Sequence, residues 1–479
     1  MVRKKSFTLI LHFLFFSGIL FCTGCAGENE KPLPNVVLIV MDTVRADHFS
    51  CYGYHRPTSP HVDRIASEGI LFRNTFSPSA WTLPAHASLF SGLYPSRHAA
   101  HHEHQFLDSA IITWAEILEK HGYRTGGFSM NPHISTEKGF SQGFSCFFEA
   151  WKIQSNSEQK KAMRINREIK TWLETGRKGT GPFFLFINYL NAHIPYTPPA
   201  SFYSPFLRGE DEIKKAQAYK KLGISFARAY NIGKATLDRE GRYYLNALYD
   251  GEIAFVDMLI GDLYRYLETH DDLDNTLLII TSDHGENIGH HRLMDHQLCL
   301  YDSLLRVPLI LRFPPRLPAG EKIDRHVELI DLLPAILEIC GLPFEGDYHL
   351  DGTNLLNDRE DFKKQFFLAE YFRHDKMKQR FEEDYPDFDF TPFYRRLKAI
   401  RRDGYKYIWS SDGRDELYHV KEDREETENL IDTFPDRASQ MKNDLLKILE
   451  TMTAVGPMEN ILPLDERTLK HLEALGYAE

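Results

Sequence analysis

Four stretches of this chain are apolar almost without interruption and rich in branched or aromatic residues: Asn35–Met41 (NVVLIVM), Phe183–Leu190 (FFLFINYL), Thr276–Thr281 (TLLIIT) and Val307–Phe313 (VPLILRF). A strand with one wet face alternates apolar and polar residues, whereas a strand apolar throughout is buried on both faces. The runs therefore predict a sheet covered by helices on both sides. Helical patterns lie between them. Pro60 follows Ser59 and opens a segment that stops at Gly69, as a capped helix does. Trp114–His121 reads as a helix ended by Gly122, and Ile253, Val256, Ile260 and Leu263 share one helical face. The fold class is α/β, with a large mixed, mostly parallel sheet sandwiched by helices. The 479 residues, 42% of them apolar, suffice for such a core. Residues 201–247 are polar and read as a helical insertion over it. Past about residue 345 the pattern changes. Residues 366–371 and 397–408 read as strands and 436–449 as a helix, forming a smaller C-terminal α+β subdomain over 346–479 beside a main domain over 35–345.

The first residues carry a different signal. Arg3, Lys4 and Lys5 precede an apolar run from Phe7 to Phe21, then Cys22-Thr23-Gly24-Cys25. The run is too short for a membrane-spanning helix and reads as an export signal over 1–25. Its end resembles a bacterial lipoprotein cleavage site, with Cys22 where leucine is usual. The expectation is a lipid anchor at Cys25, a linker over 26–34 and a location in the cell envelope, at the periplasm or cell surface. A net charge of −11 argues against nucleic acid as a partner. The four remaining cysteines, Cys51, Cys146, Cys299 and Cys340, fit no zinc spacing and read as buried small residues.

Three of the apolar runs end in groups that can do chemistry. Asp42 follows the first, Asn191-Ala192-His193 the second, and Asp283-His284 the third. Ligands of open α/β sheets bind beyond the carboxyl ends of the strands. Singly, each residue is better read as a turn or cap. Together they point to a metal and an anionic ester. A fourth element is Trp81-Thr82-Leu83-Pro84. Pro84 starts a helix, which sets Thr82 at its N-terminus, where free N–H groups favour an anion. Thr82 is either a helix cap or a nucleophile that a metal activates. His98, His101, His102 and His104 crowd one later segment, which reads as a solvated loop or pocket rim.

These motifs resemble the sulfatases of the alkaline phosphatase superfamily. The resemblance runs through residues 35–53 (NVVLIVMDTVRADHFSCYG), 58–76 (TSPHVDRIASEGILFRNTF), 82–92 (TLPAHASLFSG), 281–286 (TSDHGE), 305–311 (LRVPLIL), 329–342 (LIDLLPAILEICGL) and 351–356 (DGTNLL), and into 398–430. It implies an alkaline phosphatase/sulfatase-like fold with one divalent metal, calcium by family, with manganese or zinc as alternatives. Asp42, Asp283 and His284 fall on ligand positions. Thr82 falls on the nucleophile position and joins the metal set. His193 falls where the family has a histidine near the ester, and His296 near its acid or lysine position. In the mechanism expected from these positions His193 or His296 protonates the leaving group and His86 or Arg45 steadies the ester oxygens.

The sequence departs from that pattern at its centre. The family's signature opens with the cysteine or serine that becomes formylglycine; Thr82 cannot supply it. His86 stands where the family has arginine, and Phe128-Ser129-Met130-Asn131 replaces a Lys-Trp-His segment. A formylglycine hydrate has two hydroxyls, and the second expels sulfate. Threonine has one, so a Thr82 adduct must be broken by a second in-line attack, as in superfamily members with threonine nucleophiles that act on phosphoesters. The expected activity is metal-dependent hydrolysis, or transfer, of a phosphate or phosphonate ester through Thr82. The alternatives are sulfuric ester hydrolysis without formylglycine and a non-catalytic carbohydrate- or lipid-binding relative. The expected substrate is an ester, with a sulfated or phosphorylated glycan or lipid as the candidates.

Overall fold

A computed structural model describes residues 32–455 except 156, 177, 178, 180 and 358–365. The export signal and Cys25 lie outside the described residues. Fourteen strands form: β1 (Asn35–Met41), β2 (Ile70–Phe76), β3 (Arg124–Ser129), β4 (Cys146–Glu149), β5 (Phe183–Tyr189), β6 (Thr276–Thr281), β7 (Asn287–Ile288), β8 (Met294–Asp295), β9 (Arg306–Arg312), β10 (Glu321–Glu328), β11 (Phe367–Tyr371), β12 (Leu397–Arg402), β13 (Tyr405–Ser410) and β14 (Glu416–Tyr418). The main sheet has the order β10-β2-β9-β6-β1-β5-β3-β4. It is parallel except at β9, which runs antiparallel to both neighbours. This is the large mixed, mostly parallel sheet that the apolar runs predict.

Strand β1 shows why its sequence does not alternate. Val37, Ile39 and Met41 enter the core on one face, and Val36, Leu38 and Val40 enter the core on the other. Each fully buried side chain of this size contributes about 1.5–3 kcal/mol by leaving water. A single Asp in mid-strand would therefore break one core or the other.

The expected insertion contains helices Ala200–Tyr203, Glu210–Tyr219 and Ile224–Asn231, followed by the 31-residue helix Arg239–Thr269. The last reaches well beyond the stretch its apolar spacing marks. The C-terminal residues form the antiparallel sheet β11-β12-β13-β14 and helix Pro435–Thr451. The run 397–408 is thus a hairpin and not one strand. Asp403 and Gly404 turn it with φ of 53° and 84°, the left-handed pair that two-residue hairpin loops require. The four described cysteines are all unpaired. Among the described residues no helix is long and apolar enough to cross a membrane.

Glu252, fully buried on helix Arg239–Thr269, gives the fold a pH dependence. Its Oε1 accepts from Thr197 N (2.8 Å) and Gln159 Nε2 (3.0 Å). Burial still pushes its carboxyl up to about 8, far above the ordinary 4.5. A raised folded-state pKa means that the native protein holds this proton more tightly than the unfolded chain. The stabilisation is complete below about pH 4.5 and is lost as pH rises through about 8. Glu252→Gln keeps an acceptor for Thr197. Its Tm is expected to fall by several degrees less than the wild type's between pH 5 and pH 8; parallel Tm–pH curves would contradict this.

Candidate functional site

Strands β1 and β6 lie side by side, and the turns that follow them are tied together. Thr43 N donates to Asp283 Oδ1 (3.2 Å) and Val44 N to Ser282 Oγ (2.9 Å). Thr43 is held at φ 59°, a left-handed conformation unusual for a branched residue. Tyr249 fixes it by donating from its hydroxyl to the Thr43 carbonyl (2.7 Å). Gly285 is required by close approach: a Cβ there would lie 2.1 Å from the Ser303 carbonyl oxygen. This packing brings Asp42 and Asp283-His284 to one point at the carboxyl edge of the sheet.

The helix Pro60–Ser67 is α1; the next helix, α2 (Thr82–Ser91), starts at the same point, and all ten of its residues are buried. Thr82 Oγ1 lies 3.3 Å from His284 Nε2. His284 donates from Nδ1 to the Gly285 carbonyl (2.9 Å), so Nε2 carries the lone pair. His86 donates from Nδ1 to the Thr82 carbonyl (3.0 Å) one helical turn back and faces Asp283 Oδ2 at 3.5 Å. Asn131 joins the groups: its Nδ2 donates to Asp42 Oδ2 (2.8 Å) and, weakly, to Thr82 Oγ1 (3.5 Å). Asn188 Nδ2 also donates to Asp42 Oδ2 (3.4 Å).

The electrostatics of this cluster call for a cation. Ligand atoms of Asp42, Asp283 and His284 lie within 4.8 Å of one another, all three residues fully buried. Asp42 Oδ1 and Asp283 Oδ2 have no hydrogen-bond partner. Asp283 Oδ2 stands 3.3 Å from the lone pair of His284 Nε2, one acceptor facing another. Burial, and then the neighbouring Asp283, drive the Asp42 carboxyl well above its usual range. Burial also holds His284 neutral, down to about 3. Two carboxylate oxygens, an imidazole lone pair and a hydroxyl fit a divalent ion, and Nδ1 bonded to a carbonyl is the usual support of a metal-ligating histidine.

Beside these groups stand His193 and His296, with ring centroids 4.9 Å apart. His296 also packs 4.5 Å from the His284 ring. The two histidines differ in state. His193 donates from Nδ1 to the Ile194 carbonyl (2.7 Å), and burial takes it down to about 4. Burial would lower His296 as well, but Asp295 (2.9 Å) and Glu286 (3.5 Å) flank its Nδ1 and raise it well above the ordinary value.

The structure thus brings together Asp42, Thr82, His86, His193, Asp283, His284 and His296. Arg45 is not brought to Thr82. Its guanidinium is bonded to both oxygens of Asp47 (2.9 and 2.6 Å), to the Glu286 carbonyl (3.3 Å) and to His290 (3.0 Å). It lines another cavity, of about 380 Å³, whose walls include none of Thr82, Asp42, Asp283 or His284. The histidine-rich segment is not a solvated loop: His98, His101, His102 and His104 are buried, and His102 stacks on Trp81 at 4.0 Å. Asn131, Asn188, Glu286 and Asp295 are the site groups to which the sequence assigns no role. Asn131 follows β3 as Asp42 follows β1, so the strand-end rule reaches it once β3 is known.

Residues 34–342 match the family model described as Sulfatase, and residues 289–454 the one described as N-sulphoglucosamine sulphohydrolase, C-terminal. The uncharacterized sulfatase YidJ of Escherichia coli is 26% identical over 461 residues, covering 87% of each chain. The N-acetylglucosamine-6-O-sulfatase of Bacteroides thetaiotaomicron is 23% identical over 517 residues, covering 90% of this chain and 88% of the relative. Among solved structures, the phosphonate monoester hydrolase of Agrobacterium radiobacter superposes with a TM-score of 0.71 at 23% identity, over 88% of this chain and 96% of that one. A 2-O GAG sulfatase superposes with a TM-score of 0.68 at 18% identity, over 88% and 93%.

Proposed function

The chain belongs to the sulfatase family and is a hydrolase of ester bonds, and we propose that the bond it cuts is a phosphate or phosphonate ester, by covalent catalysis at Thr82. The observation that carries this reading is a single hydroxyl, Thr82 Oγ1, set at the N-terminus of α2 and 3.3 Å from His284 Nε2. A divalent cation held by Asp42, Asp283, His284 and Thr82 Oγ1 would supply charge that favours the alkoxide and neutralises phosphoryl oxygens.

The chain's own groups then divide the work. Thr82 gives up its proton to solvent as Oγ1 bonds to phosphorus. The ester P–O bond breaks in line on the far side, and His296 protonates the departing alkoxide. Water next attacks phosphorus from that side and returns its proton to His296. The P–Oγ1 bond breaks, Thr82 is reprotonated and the phosphate or phosphonate departs. An alcohol in place of water would make the same sequence a transfer. N–H groups in the first turn of α2 face the non-bridging oxygens. His86, bonded to the Thr82 carbonyl, braces that turn. The geometry supports His296 over His193 as proton donor, because Asp295 and Glu286 flank its ring and raise its pKa, whereas burial lowers that of His193 to about 4.

That division is testable by leaving group. His296→Gln is expected to cost about 10²–10⁴-fold in kcat/KM on an alkyl ester, the range of general acid catalysis. It should cost far less on a 4-nitrophenyl ester, whose phenolate departs without a proton. Equal losses on both would remove His296 from the donor role. The second reading, sulfuric ester cleavage without formylglycine, draws on the sulfatase names of relatives that cover 87–90% of this chain. Steady turnover of an aryl sulfate with none of a phosphonate ester would select it.

A further inference from the structure

Lys138 is a buried lysine, 2% exposed, and among the described residues no carboxylate lies within ion-pair distance of it. The one acceptor for its Nζ is Gln105 Oε1 at 3.4 Å, a long contact. Glu137, next to it in sequence, is turned to Lys152 (2.9 Å). A buried charge normally holds a partner of opposite sign. Here a second cation, the exposed Lys376 on helix Asp375–Asp384, lies close enough to add to burial in lowering the Lys138 ammonium to about 8. Glu137 raises it again only in part and is already paired with Lys152, so the buried ammonium is left with a deficit of negative charge.

The deficit adjoins the reaction centre. His133 is near both: its pKa is lowered first by burial, then by Lys138, and then by His374, His296 and His193. Its backbone N–H donates to Asn131 Oδ1 (2.9 Å), and Asn131 reaches Asp42 and Thr82. Trp81, next to Thr82, meets the His133 ring at 5.4 Å. Trp81 also stacks on His102, which is buried and whose ring has no hydrogen-bond partner beyond the Phe372 backbone. His374 packs on it at 4.4 Å. The cover is weakly held. Gln105 is half-buried, and its amide makes only two 3.4 Å contacts, one to Lys138 and one to the His102 carbonyl.

Resting on the reading of Thr82 as the nucleophile, we propose that Lys138, with Lys376 and the ring nitrogens of His102, binds a second anionic group on the substrate, so that the preferred ester carries a further sulfate, phosphate or carboxylate on its body. Structural lysines of the ordinary kind have a carboxylate or several carbonyls around Nζ, and Lys138 has neither. The group that recognises the ester and the group that recognises the body are thus separate, one a carboxylate-lined cation site and the other a set of cationic side chains.

The test uses the full-length protein and two probe esters that differ by one charge: 4-nitrophenyl phenylphosphonate and the same ester with a sulfonate on the phenyl ring. Wild type should prefer the sulfonated ester through KM. Lys138→Gln should raise KM for that ester about ten- to a hundredfold, the range for a lost charged hydrogen bond, leave kcat near its value and hardly alter the uncharged-body ester. Lys138→Arg should restore most of the preference. Equal losses on both esters, or no wild-type preference, would overturn the proposal. If wild type turns over neither ester, the reading of Thr82 fails and binding decides the matter. Inorganic sulfate should raise the Tm of Thr82→Ala more than that of Thr82→Ala/Lys138→Gln, and equal shifts would overturn the subsite.

Discussion

Thr82→Ala is expected to abolish turnover of a phosphonate monoester, by about 10⁴-fold or more, as loss of a covalent nucleophile does, with almost no change in Tm. The two halves of that expectation rest on different distances. Thr82 Oγ1 has only long contacts, 3.3 Å to His284 Nε2 and 3.5 Å from Asn131 Nδ2. Hydrogen bonds of that length contribute well under about 1 kcal/mol to stability. Thr82 is also the first residue of α2 and not its cap, which is Trp81, so the helix keeps its start. Thr82→Ser, which keeps the hydroxyl, should retain most of the activity. In wild type, rapid quenching during phosphonate turnover should yield a peptide carrying the phosphonyl group on Thr82. With an aryl sulfate the same hydroxyl has no geminal partner to expel sulfate. A burst of about one phenol per enzyme followed by a stall is the expected course. Steady aryl sulfate turnover without a burst would overturn the preference for phosphorus, and full activity in Thr82→Ala would overturn the mechanism.

How much of this could be read from the sequence depended on whether the deciding contacts were local. Strands β1, β5 and β6 are legible because both their faces are buried, which removes alternation and leaves unbroken apolar runs. Their chemistry is legible for the same reason, since Asp42, His193 and Asp283 follow the runs directly. Strand β3 (RTGGFS) sits in the same sheet and is not legible. Gly126 and Gly127 leave room for the rings of Trp172 and Phe147, which would lie 2.7 and 2.5 Å from an added Cβ. Its apolar covering comes from elsewhere in the chain, so β3 lacks a strand's signature and Asn131 escapes notice. The histidine-rich segment misleads in the other direction. His101 stacks on Phe372 at 3.8 Å and His102 packs against Tyr371 and His374, all about 270 residues away. Arg45 is a third case. The expected mechanism sets it near the ester oxygens, but Asp47, two residues on, captures its guanidinium. The family resemblance carries strand ends and motif positions well, and it carries side-chain direction only where no neighbour competes.

Removing the divalent ion should abolish activity and destabilise the protein together, and Asp42→Asn should separate the two effects. Asp42 Oδ1 and Asp283 Oδ2 are buried without hydrogen bonds, and burial, then the charge of Asp283, raises the Asp42 carboxyl. An ion that binds only the folded state relieves this. At a hundred times its Kd it adds about 2.7 kcal/mol of stability. Wild type treated with chelator should therefore show a lower Tm and no turnover, with both restored by adding back calcium, manganese or zinc in turn. Asp42→Asn removes one of the two opposed charges. Its carbonyl oxygen can still accept from Asn131 and Asn188, the present partners of Oδ2, and its amide can donate towards the carboxylate of Asp283. Without ion, the variant should melt above wild type. With saturating ion the order should reverse, because the variant has lost a ligand. It should remain inactive in both conditions. A Tm for Asp42→Asn below wild type in chelator would mean that the two carboxylates are not opposed in the folded protein. A chelator without effect on activity or Tm would mean that Asp42, Asp283 and His284 hold no ion at all.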